Sequence, residues 1–81
     1  LSDPPGIETS SSKLILVIPY EEKIKVELFD VTGRRLSTLL PPTSVKGKVE
    51  LRWPHNIPHG VYYMVVRSED EAFSRKVVLL R

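Results

Sequence analysis

From Lys13 to Leu80 the apolar side chains recur at every second position, and no stretch carries an apolar stripe at the spacing of a helix. Alternation of this kind marks strands with one buried face, because successive side chains of an extended backbone point to opposite sides. The chain is therefore expected to be all-β. Its 81 residues supply material for one hydrophobic core, and a domain this small stays folded only if nearly every apolar side chain faces inward.

Six strands can be placed by this rule. Lys13–Ile18 is apolar on both faces, which suits a central or doubly covered strand, and is expected to end at Pro19, whose missing N–H stops a ladder. Lys23–Phe29 alternates cleanly: Ile24, Val26 and Leu28 point one way, and Lys23, Lys25 and Glu27 point toward water. Asp30-Val31-Thr32-Gly33 has the chemistry of a turn, with a carboxylate able to bond its own backbone and a glycine available for positive φ. The returning strand Arg34–Leu40 is expected to stop at Pro41-Pro42, and Lys48–Trp53 follows with Val49, Leu51 and Trp53 on its buried side. Val61–Arg67 is apolar on both faces and belongs mid-sheet; Ser68-Glu69-Asp70-Glu71 then turns the chain into Ala72–Leu80. One twisted sheet of this pattern would leave an apolar face bare, so the expected architecture for residues 13–81 is an Ig-like antiparallel β-sandwich. A partly open barrel hides the same faces.

Leu1–Ser12 is rich in Pro, Ser, Asp and Gly and reads as a linker, and a chain that opens on Leu1 is expected to be a piece of a longer or processed protein with a domain upstream. Twelve Lys and Arg against ten Asp and Glu give a net charge of +2 with the signs mixed along the chain, which does not point to nucleic acid. The longest apolar run, Leu14–Ile18, is far shorter than the ~20 residues of a membrane helix, so no transmembrane segment is expected. There is no cysteine, hence no disulfide, thiolate metal site or cysteine nucleophile. One Asn, no Gln and abundant Lys, Glu and Arg lean toward a thermophilic source.

No residue set asks for a cofactor or for catalysis. His55 and His59 sit in a proline-containing loop, where a spacing of four does not align two ligands, and no third ligand is near. Asp30, Glu69, Asp70 and Glu71 fall in turns, where carboxylates ordinarily act as turn-formers rather than calcium ligands. Ser10-Ser11-Ser12 lacks the context of an activated nucleophile. Trp53, Tyr62 and Tyr63 invite a carbohydrate platform, but alternation buries Trp53 and one of the two tyrosines, leaving one ring at most.

Four stretches, in this order and spacing, carry a family resemblance: Lys25-Val26-Glu27-Leu28-Phe29-Asp30-Val31-Thr32-Gly33-Arg34-Arg35-Leu36; Gly47 with Val49–Trp53; His59-Gly60-Val61-Tyr62-Tyr63; and the closing Arg75–Arg81. Over Leu14 to Arg81 the chain resembles the type A C-terminal sorting domain of the type IX secretion system, and it is also similar to the Ig-like domain of the flagellar hook-capping protein. His59 stands where that family usually has a small residue, and Pro4-Pro5 only loosely echoes its proline-rich start. The resemblance implies a sandwich of up to seven strands that is non-catalytic and needs no cofactor. It implies a sorting signal that directs a cargo upstream in the same chain across the outer membrane, to secretion or the outer cell surface, on recognition by the secretion translocon. Carried over by position, the recognition residues are Gly60, Val61 and Tyr62, with Lys76, Val77, Val78, Leu79, Leu80 and Arg81.

A final strand lying at a sheet edge gives this signal a physical handle, since its free N–H and C=O groups template β-augmentation, and Lys76 and Arg81 add positive charge for an acidic groove. Two other functions fit the same fold class: a structural Ig-like accessory domain of a larger extracellular enzyme, and a carbohydrate-binding module.

Overall fold

The computed structural model describes residues 6–9 and 13–80, with side chains from residue 13 onward. It is all-β: β1 (Gly6–Thr9), β2 (Lys13–Phe29), β3 (Arg35–Arg52), β4 (Gly60–Arg67) and β5 (Ala72–Leu79) form one antiparallel sheet of five strands. The ladders run β1–β2, β2–β4 and β4–β5, and β3 lies along the other side of β2.

Two proline expectations are corrected. Pro19 does not end a strand: Lys13–Ile18 and Lys23–Phe29 are the two halves of β2, as Arg34–Leu40 and Lys48–Trp53 largely merge into β3. The register explains how the ladder tolerates these prolines. Ile18 pairs with Gly47 and Glu22 with Val45, so Pro19, Tyr20 and Glu21 bulge out opposite Lys46 alone. Ile24 pairs with Thr43 and Val26 with Leu40, so Pro41 and Pro42 together face only Lys25. Bulged residues need not donate to the ladder, and each bulge bends its strand and increases its twist. Further shifts leave Leu39 and Leu36 extra on β3, which lets Leu36, Leu39 and Leu40 all pack against the core.

The bent β2–β3 hairpin brings both of its halves around one core. Leu14, Leu16 and Ile18 from the first half of β2 share a cluster with Ile24, Val26 and Leu28 from the second, with Leu51 and Trp53, and with Tyr62, Met64, Val66, Val77 and Leu79 from β4 and its neighbour. Nine of these side chains are completely enclosed, the largest single favourable contribution to folding at roughly 1.5–3 kcal/mol per large aliphatic group. Ile15 and Val17, on the opposite face of β2, are half-buried rather than covered. β4 lies mid-sheet between β2 and β5 as its apolar faces predict, and β1 falls inside the segment read as a linker, pairing Gly6 with Val17 through Thr9 with Leu14. The described strands thus number five, fewer than the six placed from alternation, because long bent strands do the work of separate short ones.

The turn between β2 and β3 is built as its composition predicts. Thr32 and Arg34 donate their backbone N–H groups to Oδ1 of Asp30 at 2.9 and 3.0 Å, and the Thr32 hydroxyl donates to the same oxygen at 2.6 Å. Gly33 donates to the Asp30 carbonyl at 3.1 Å and holds φ at +88°, a conformation that costs any other L-residue about 1–2 kcal/mol. The bonds to the carboxylate, the Thr32 hydroxyl first and then the backbone N–H groups of Arg34 and Thr32, hold the Asp30 carboxyl below its ordinary value.

Candidate recognition surface

The recognition residues expected from the sequence fall on two strands that the fold places side by side. Gly60 pairs with Leu79, Val61 with Val78, Tyr62 with Val77, and Tyr63 with Lys76. What the sequence shows as two motifs separated by a strand and a turn is therefore one ladder. Gly60 has φ +152°, where side-chain-bearing residues rarely sit, and a Cβ there would meet nothing within 4 Å, so the glycine serves the backbone rather than the packing.

The two sides of this ladder have opposite characters. Tyr62, Val77 and Leu79 point into the core. Tyr62 packs edge-on against Trp53 with ring centroids 5.9 Å apart, and its hydroxyl donates to the Pro58 carbonyl. Val61, Tyr63, Lys76 and Val78 face outward, as does Leu80 just past the strand. Arg81 lies outside the described residues. With Trp53 and Tyr62 buried, Tyr63 is the one ring of the three left half-exposed, as alternation requires. His55 and His59 are exposed in their loop, and among the described residues no three His, Asp or Glu side chains gather at metal-binding range. Among the described residues no helix is long and apolar enough to cross a membrane.

β5 has one ladder partner, β4, which makes it an edge of the sheet among the described residues; β1 approaches within 8 Å of β5 without a ladder between them. An edge strand carries backbone N–H and C=O groups free to pair with another chain.

The same outward face holds a cluster that strand parity alone did not reveal. Glu27, expected to meet water, is only 5% exposed. Its Oε2 accepts from Nη1 of Arg35 at 3.0 Å, its Oε1 accepts from Nε of Arg67 at 3.2 Å, and Lys25 Nζ stands 3.8 Å from Oε2. One carboxylate thus joins β2 to both of its neighbours, β3 and β4. The pairing register makes this necessary: Lys25 lies directly across from Arg67, a like-charge pair that destabilises a sheet unless an anion sits between. The Arg35 hydrogen bond first, then Lys25 and Arg67, hold the Glu27 carboxyl below its ordinary value although burial pushes the other way. The sequence signal for this cluster, a lone acid amid bases on one strand face, means little until the register is known. Beside it an open groove of about 420 Å³ runs between Phe29, Asp30, Tyr63, Val65 and Arg67.

Fold and surface together define a β-rich module that offers other molecules an edge and a mixed apolar and basic face. The model of the family described as "Secretion system C-terminal sorting domain" matches residues 10–80. The chain belongs to this family, the C-terminal sorting domains of type IX secretion. No curated protein and no solved structure matches it. A domain of this family is a sorting signal rather than a catalyst, and it marks the protein that carries it for export to the cell surface or for secretion.

Proposed function

We propose that the address is the β4–β5 ladder, read by the translocon through the free edge of β5. Gly60, Val61 and Tyr62 set the position of β5, and Lys76, Val77, Val78, Leu79, Leu80 and Arg81 form the strand and tail that the receptor engages. The observation that carries this reading is the alternation of β5: Val77 and Leu79 anchor it in the core while Lys76, Val78 and Leu80 remain outside, so a receptor strand can add to a firmly held template. Lys76 and Arg81 favour an acidic groove on that receptor.

On this reading the cargo precedes the domain in the same chain, the domain takes in β1 as well as residues 13–81, and the folded-over sheet is a relative of the Ig-like sandwich with fewer, longer strands. The scarcity of amide side chains fits a thermophilic source.

The test is export of a reporter carrying this chain at its C-terminus, in a host with the type IX machinery. Deleting Lys76–Arg81 strands the reporter in the periplasm. Because Val77 and Leu79 are core residues, deletion of Leu80 and Arg81 alone separates signal from folding, and it also blocks export. Normal export of either truncation overturns the proposal.

A further inference from the structure

The outward face of β2, β4 and β5 concentrates charge that the linear sequence shows as mixed. Lys25, Arg67 and, from the neighbouring β3, Arg35 converge on Glu27, and Lys76 lies across from Tyr63, so four cations surround one carboxylate there. At one end of the face the acids of the turn after β4 approach, and the exposed Lys23 shares a cleft with Glu22, Glu69 and Asp70. Tyr63, 38% exposed, lies between these charges and the far end of the face, where Val61 and Val78 form a cross-strand pair, each about two-fifths exposed.

We propose that this face is a second docking surface of the sorting signal, and that its occupant is an acidic protein surface with a small apolar patch beside its charge, carried by the machinery that reads β5. The inference rests on the β5 address reading and adds a face to its edge. Charge complementarity selects the sign of the partner. The mixture of a half-exposed tyrosine, valines and arginines matches the anchors of protein interfaces, where aromatic and Arg side chains carry most of the binding. A lipid surface fits less well, because these side chains stand only half clear of a pleated sheet, whereas membrane-surface helices sink their apolar face ~5–10 Å into the headgroup boundary.

The experiment uses the reporter fusion with Lys23→Glu and Tyr63→Thr, both at exposed strand positions outside the β5 tail, and an unchanged urea midpoint establishes that the fold is kept. Export falls on the order of tenfold, and Lys23→Arg with Tyr63→Phe restores it. If the double variant unfolds, Lys23→Glu alone gives the reading, with a smaller loss. Normal export of a folded charge-reversed variant, while deletion of Leu80–Arg81 still blocks export, overturns this inference and leaves the address intact; normal export of the deletion overturns the address itself. In vitro, the chain binds an alternating Glu-Val peptide more tightly than phosphatidylglycerol vesicles, and more weakly as salt rises. The opposite preference assigns the face to lipid and overturns the proposal.

Discussion

The two halves of the long hairpin carry ion pairs of very different kinds on their outer faces. Near the start of β2, Lys13 meets Glu50 of β3 at 3.4 Å with side chains 44% and 65% exposed. Near its end, Glu27 is 6% exposed by side chain and ties three cations on three strands. An exposed pair orders two long side chains against water and salt and gains little. At Glu27 two charge-assisted hydrogen bonds, at 3.0 and 3.2 Å, hold a desolvated carboxylate that also separates Lys25 from Arg67. The difference lies in where each carboxylate sits: Glu50 belongs to β3, whose one ladder partner among the described residues is β2, whereas Glu27 lies on β2 between β3 and β4, opposite Thr38 and Val65.

The largest contrast is expected from Glu27→Ala, which leaves three cations converging on nothing. Chemical denaturation should show a loss of about 2–3 kcal/mol, against less than about 0.5 kcal/mol for Glu50→Ala; equal losses would break the comparison. Acid should sharpen it. The folded-state values of Glu27 and Asp30 lie below their ordinary 4.5 and 3.8, so their stabilisation is complete above those ordinary values and is lost as pH falls through the lower folded ones. The urea midpoint of the native chain should therefore drop below about pH 4, and Glu27→Gln should flatten that drop. A smaller effect separates the two faces of β4: Tyr62→Phe forfeits the bond to Pro58 and should cost about 1 kcal/mol, whereas Tyr63→Phe should stay within about 0.5 kcal/mol. Smallest of all is salt: 0.5 M NaCl should erase the Glu50→Ala difference through screening of an exposed pair, while most of the Glu27→Ala difference survives.

Much of the surface around β5 is legible in the sequence. Val77 and Leu79 inward, Lys76, Val78 and Leu80 outward, Trp53 buried, and Asp30 and Gly33 in a tight turn all follow from parity and turn chemistry, which are local. The prolines misled because their missing N–H is equally compatible with a strand end and a bulge, and only the partner strand decides between them. Glu27 misled because parity gives the face a side chain points to, not what lies beside it.

The all-β class, the face of each strand that enters the core, and the glycine and aspartate turns follow from local chemistry, since each depends on a residue and its immediate neighbours along the chain. Tertiary structure alone decided that β2 and β3 run unbroken through their prolines, that Gly60–Tyr62 and Lys76–Leu79 are one ladder, and that Glu27 is buried among Lys25, Arg35 and Arg67. These are matters of register between residues as many as 42 positions apart, as Lys25 and Arg67 are. Such pairings are set by which alignment buries the most apolar surface across the whole sheet, a sum that no single segment contains.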